Sequence, residues 1–119
     1  MVQKTSSEKY KTWKKGLLAE EVAKWCLRMQ GYRILEQRYK TPLGEIDLII
    51  QRGKSLAFVE VKLRPTIQEA LESVSYLQQK RIRQTADFYL RKGQAPDTVR
   101  FDVFLVKPYA FPVHIKNAF

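Results

Sequence analysis

Residues 44–64 read GEIDLIIQRGKSLAFVEVKLR, two apolar runs joined across Arg52-Gly53-Lys54-Ser55. A two-residue loop with glycine first suits a type II′ turn, so the stretch predicts an antiparallel β-hairpin. Arg52 then pairs with Ser55. Counting back from the turn, Ile49 opposes Phe58, Asp47 opposes Glu60 and Glu45 opposes Lys62. Period-two alternation puts these six residues on one sheet face and Ile46, Leu48, Ile50, Val59 and Val61 on the other, where they serve the core. The first face is apolar near the turn and ionic at its far end.

Two carboxylates placed directly across a strand pair repel by a few tenths to about 1 kcal/mol. A divalent cation reverses that sign. Hard Mg²⁺ takes oxygen ligands and is often held by one or two carboxylates plus a substrate phosphate. Lys62, two residues beyond Glu60, then reaches the same phosphate and water. The plain alternative is a set of solvated strand-end charges, with Glu45–Lys62 an ordinary cross-strand salt bridge. A one-residue bulge would also separate Asp47 from Glu60. Spacing alone leaves both readings open.

Outward from the hairpin, glycines and prolines punctuate the chain. Between Gly16 and Gly31, Leu18, Val22, Trp25, Cys26 and Met29 recur at three- and four-residue steps and predict an amphipathic helix buried through that stripe. Arg33–Tyr39 reads as a strand before the hairpin, whose own strands span Glu45–Gln51 and Ser55–Leu63. Residues from about Glu69 to Lys92 return to helical spacing, with Leu77, Ile82, Ala86, Tyr89 and Leu90 apolar. Arg100–Val106 is a last strand, followed by a tail with two prolines. The order is α-β-β-β-α-β, an α/β domain over residues 16–119, and residues 1–15 form a basic N-terminal arm whose Tyr10 and Trp13 could extend the first helix backwards.

The chain has 119 residues, enough for one core. Its 22 lysines and arginines against 12 acidic residues give a net charge of +10, which points to a polyanionic partner, nucleic acid above all. One cysteine, Cys26, excludes an internal disulfide and suits a reducing compartment. One histidine, His114, with one cysteine cannot build a common structural zinc site, and His114 is expected at the surface. No apolar run approaches a membrane span, and residues 1–15 lack the apolar middle of a signal peptide, so a cytoplasmic location is expected.

Asp47 followed by Glu60-Val61-Lys62 resembles the D-xn-E-x-K signature of the PD-(D/E)XK nuclease superfamily, and the element order resembles that superfamily's core. Gly44-Glu45-Ile46-Asp47-Leu48-Ile49, Phe58–Arg64, Gly16-x3-Glu20-x2-Ala23, Arg100-Phe101-Asp102-Val103 and the closing Ile115–Phe119 are similar to the YraN-type family of small bacterial proteins. The resemblance implies a restriction-endonuclease-like fold, a central mixed sheet flanked by helices, close in layout to Holliday-junction resolvases. It implies Asp47 and Glu60 as ligands of Mg²⁺ or Mn²⁺, and Lys62 as the residue that positions or activates the attacking water. Glu20 matches an additional acidic residue placed beside the metal, while its spacing equally allows a solvent pair with Lys24. The implied activity is a metal-dependent, structure-selective DNA endonuclease acting on branched or duplex DNA. Because two symmetric strands are cut, a homodimer is possible.

Two departures from the family pattern lie near the second helix. Gln78 stands where a lysine is usual, and the stretch Pro65–Ser73 is shorter and lacks a glycine. The expected nucleic-acid contacts are Arg64, Gln78, Lys80 and Arg83, with Lys14 and Lys15 on the arm, and binding through them would be steeply salt-dependent. Two rivals remain: a nucleic-acid-binding module that keeps the nuclease fold without cutting, and a basic adaptor for a protein or ribosomal partner.

Overall fold

The computed structural model describes residues 6–93 and 95–119; the side chains of residues 6–14 lie outside that description. Helix α1 (Ser6–Met29) is followed by strands β1 (Arg33–Thr41), β2 (Gly44–Arg52) and β3 (Ser55–Leu63), helices α2 (Ile67–Glu72) and α3 (Tyr76–Leu90), and strands β4 (Thr98–Val106) and β5 (Val113–Ile115). The strands form one mixed sheet in the order β1-β2-β3-β4-β5, with β3 and β4 parallel and the other neighbours antiparallel. Helices cover both faces: Ala23 and Leu27 of α1 pack with Leu48, Ile50, Ala57, Val59 and Phe104. Ala70, Val74, Ile82 and Ala86 of the α2–α3 side pack with Ile49, Leu56, Phe58 and Val103. This is the expected α/β architecture. Among the described residues no helix is long and apolar enough to cross a membrane.

The hairpin turn forms as the Arg52–Ser55 pairing requires, with the left-handed conformation on Gly53 (φ 61°) and not on Lys54. Gly44 is needed for a different reason. A methyl group there would stand 3.0 Å from Thr85 Oγ1 and 3.3 Å from Arg81 Cβ, so glycine lets the start of β2 press against α3.

Several expectations give way. Of the two readings of residues 1–15, the described part from Ser6 follows the backward extension of the first helix, inside α1. The apolar stripe on α1 is also not the buried one. Leu18, Val22, Trp25 and Met29 are exposed, whereas Ala19, Ala23 and Leu27 are buried. Small side chains let the helix approach the sheet closely, which the bulkier stripe would prevent.

The expected helix over 69–92 is two helices. Ser73 caps α2, Val74 is buried, and the Ser75 hydroxyl accepts from Gln78 N to start α3. A serine followed three residues later by glutamine is a capping signal visible in the sequence. Leu77 points to solvent, and Thr85 takes a core position by donating to Arg81 O.

The proline-rich tail contributes β5. Val113–Ile115 pairs with β4 and brings His114 inward, its side chain only 6% exposed, with Nε2 2.8 Å from Asp102 Oδ2. His114 is therefore a packed residue and not the surface residue its sequence context suggests.

Candidate functional site

The hairpin is regular near its turn and parts at its open end. Cross-strand pairing runs from Arg52↔Ser55 through Ile49↔Phe58 to Leu48↔Val59 and goes no further. Beyond it, the Asp47 carboxylate takes the place of a backbone acceptor, with Oδ2 accepting from Val61 N at 2.8 Å. The expected direct opposition of Asp47 to Glu60 and of Glu45 to Lys62 is thus replaced by an opening between the strands. β3 keeps its parallel ladder with β4 through Lys62↔Leu105 and Leu63↔Val106, which holds the Glu60-Val61-Lys62 segment extended.

The same point marks a change of face. Ile46 packs with Ile49 and Phe58 on the α2–α3 side, not with Leu48 and Ile50 on the α1 side as alternation requires. β1 changes with it: Gln37, across from Leu48, accepts from Lys24 of α1 (3.1 Å). Tyr39, across from Ile46, instead meets Tyr89 of α3 edge-on, with ring centroids 5.3 Å apart. Between them Arg38 adopts φ 50° opposite Asp47. A left-handed non-glycine residue in a strand costs about 1 kcal/mol or more, and it twists the strand ends so that Asp47 enters a gap and not a packed face.

That gap belongs to an open cleft of about 690 Å³ whose lining includes Glu20, Arg38, Asp47, Glu60, Lys62 and Gln78, together with Lys15, Lys40 and Arg64. Another cleft, of about 580 Å³, lies between the hairpin turn and the end of α3. It contains none of the expected catalytic, metal-binding or nucleic-acid-binding residues.

Glu60 is almost fully buried, at 4% exposure. Gln78 Nε2 donates to its Oε2 at 3.3 Å, while its Oε1 is buried without a hydrogen-bond partner. Burial first, and then the neighbouring Asp47 charge, push the Glu60 carboxyl up to about 8, against a downward pull from Lys62. Asp47 is also held above the usual carboxylate range, by burial first, with the Val61 N–H opposing and Glu20 adding to the rise. The two carboxyls share a dry, mutually repulsive site next to an open cleft. Perturbation of this kind is typical of reactive positions.

Glu20 reaches the cleft from α1. Its Oε2 accepts from Arg38 Nε (2.9 Å) and lies 2.8 Å from Nη2 as an ion pair, and Lys24 pairs with Glu21 instead. Hydrogen bonding to Glu20 holds the Arg38 guanidinium above its ordinary pKa. Arg38 is the functional candidate that sequence reasoning missed. Its one signal was an arginine in the β1 position that faces Asp47.

Of the expected nucleic-acid contacts, Lys15, Arg64 and Gln78 line the cleft. Lys80 and Arg83 do not; they are exposed on α3, and the Arg83 guanidinium stands over the Phe101 ring at 5.3 Å and the Phe119 ring at 5.9 Å. Their spacing turns them away because α3 presents Gln78 and Ile82 inward. Lys14 falls outside the described side chains. Among the described residues no three His, Cys, Asp or Glu side chains gather as a ready ligand set.

The family profile described as "Uncharacterised protein family UPF0102" matches residues 19–106. A UPF0102 protein of Chelativorans sp. (strain BNC1) is 47% identical over 113 residues, covering 92% of this chain and 90% of its own length. A UPF0102 protein of Bartonella tribocorum (strain CIP 105476 / IBS 506) is 44% identical over 114 residues, covering 94% and 88%. The profile runs from within α1 to the end of β4 and takes in Glu20, Arg38, Asp47, Glu60, Lys62 and Gln78, and the chain belongs to the UPF0102 (YraN-type) family.

Proposed function

We propose that the protein is a divalent-cation-dependent nuclease that hydrolyses phosphodiester bonds in branched or duplex DNA. The observation that carries this reading is Glu60, buried against Asp47 with one oxygen unpartnered, at the floor of a cleft lined by Lys15, Arg38, Lys40, Lys62 and Arg64. An orphaned carboxylate oxygen costs stability, and a carboxyl pair forced to share protons is relieved by a hard cation. The residues present therefore fit Mg²⁺ or Mn²⁺, which Asp47 and Glu60 would hold. Bound there, the cation supplies Lewis acidity toward a phosphoryl oxygen and makes water a stronger nucleophile at neutral pH.

The chain's own groups do the remaining work. The Val61 N–H fixes one Asp47 oxygen, and Gln78 fixes one Glu60 oxygen, which leaves Glu60 Oε1 buried without a partner. The Lys62 ammonium sits two residues beyond Glu60 on the same strand, where it offsets charge on the phosphate and orients water. The surrounding cations hold the phosphate backbone without reading sequence, which suits selection by shape.

Purified protein incubated with labelled duplex, flap, single-stranded and four-way-junction DNA tests this directly. Cutting is expected with Mg²⁺ or Mn²⁺ and not with EDTA, and Lys62→Ala should reduce it at least a hundredfold. Mn²⁺ alone at ten times its Kd should stabilise the fold by about 1.4 kcal/mol, a rise of several degrees in Tm that Asp47→Asn abolishes. Equal cleavage by wild type and Lys62→Ala would end the nuclease reading. Salt-sensitive binding with neither cutting nor a Mn²⁺ response would identify a binding module on the same fold.

A further inference from the structure

Glu20 poses a difficulty for any cleft that admits a polyanion: it is a carboxylate, mostly buried, on the approach to the cationic side chains. Its hydrogen bonds resolve the difficulty. Arg38 turns one edge of its fork to a single Glu20 oxygen: Nε donates to it, and Nη2 lies 2.8 Å from it as an ion pair. A guanidinium carries five N–H donors in a rigid fork. Three are left, on Nη1 and the outer side of Nη2, and the Arg38 side chain is 43% exposed. The strand is held in the left-handed conformation at this residue, between the pairs that flank Asp47 on β2, and Arg38 and Asp47 line the same cleft. Strain retained at a charged, half-exposed side chain beside the carboxyl pair is a sign of placement for a purpose.

We infer that Arg38 binds a second backbone phosphate of the DNA strand in the cleft, flanking the one served by Asp47, Glu60 and Lys62, and that Glu20 is its positioning residue. The inference rests on the nuclease reading for its substrate class, and it assigns Glu20 a role through Arg38 in place of one as a cation ligand. Arginine suits the task because its fork meets two phosphate oxygens at once, which a lysine ammonium does not. The pairing with Glu20 leaves that outer edge available and removes the rotational freedom that a lone arginine would lose on binding.

The test uses the full chain and a fluorescein-labelled duplex, with anisotropy read in EDTA between 50 and 200 mM NaCl, so cleavage plays no part. Arg38→Ala should weaken binding about tenfold and lower the slope of log K against log[salt] by about 0.9, the signature of one lost phosphate contact. Arg38→Asn, which tolerates the left-handed backbone, guards against a folding artefact and should behave alike. Arg38→Lys should keep the slope and lose affinity. Glu20→Gln should change affinity in the wild-type background and not in Arg38→Asn, while its Mn²⁺-induced Tm rise stays within the wild-type range.

An unchanged slope in Arg38→Asn, with wild type binding normally, overturns the inference and leaves the nuclease reading standing. A Glu20→Gln chain that loses its Mn²⁺ response makes Glu20 a cation ligand and overturns its positioning role. Wild type that binds no DNA at any salt overturns the inference and the nuclease reading together.

Discussion

The two most deeply buried carboxylates of this sheet, Glu60 on β3 and Asp102 on the neighbouring β4, are treated in opposite ways. Asp102 on β4 is fully buried and completely partnered. Arg100 donates to both its oxygens (Nη2 to Oδ2 2.9 Å, Nε to Oδ1 3.3 Å), His114 Nε2 meets Oδ2 at 2.8 Å, and Asn117 N donates to Oδ1 at 3.1 Å. Burial pushes its carboxyl up, but the bonds from His114, Arg100 and Asn117 outweigh burial and hold it below the usual range. Glu60 on β3 has one amide partner and one bare oxygen, and its carboxyl rises to about 8. Equal burial with unequal partnering separates a structural carboxylate from a reactive one.

The largest expected effect comes from breaking the partnered side. Asp102→Asn removes the charge that Arg100 and His114 answer, and it also unties Asn117 and the β5 segment. Removing one member of a buried ionic cluster leaves the others uncompensated and costs about 3–5 kcal/mol. Urea denaturation should show that loss. If Asp102→Asn proved no less stable than wild type, the contrast between the two carboxylates would be empty.

Breaking the unpartnered side should have the reverse sign. Glu60 titrates at about 8 in the folded chain and near 4.5 unfolded, so between those values the native state holds a proton that the unfolded state has released. Stability therefore falls as pH rises from about 5 to about 8, by on the order of 3 kcal/mol. Asp102 works the other way: its folded carboxyl lies below the ordinary value, so its contribution is present above that value and is lost as pH falls through the folded one. Glu60→Gln should abolish the neutral-range decline and stabilise the protein at pH 8 by about 1–3 kcal/mol, while leaving acid unfolding unchanged. A flat wild-type profile from pH 5 to 8 would remove the evidence that Glu60 is held out of balance.

The partnered half of the molecule was the less legible from sequence. The hairpin could be counted residue by residue, because its turn glycine and its apolar alternation act locally, and Leu48↔Val59 falls where counting puts it. Asp47, Glu60 and Lys62 were reachable through the same count. What failed was the last step of register, since nothing local announces that an aspartate will take over a backbone acceptor and flip Ile46 to the other face. His114 was misplaced because β5 exists through pairing with β4, a partner supplied by tertiary structure and not by the three residues themselves. The α1 stripe misled for a related reason: periodicity identifies a helix but not which face the sheet accepts, and here the small residues Ala19 and Ala23 win over Leu18 and Trp25.

The smallest change sharpens the comparison without breaking either side. Gln78 is the one hydrogen-bond partner that α3 supplies to Glu60, and it is neutral. Gln78→Lys would set an ammonium beside the buried carboxylate and move Glu60 toward the electrostatics of Asp102. The favoured state becomes the ionised one, so the Glu60 midpoint should fall by about one unit. By the linkage argued above, the decline in stability between pH 5 and 8 should shrink by about 1 kcal/mol, with little change at pH 5. A pH series of urea midpoints measures this, and carbonyl NMR titration of Glu60 locates the shift. An unmoved midpoint would mean that residue 78 does not set the charge state of Glu60, and that burial and Asp47 alone keep it protonated.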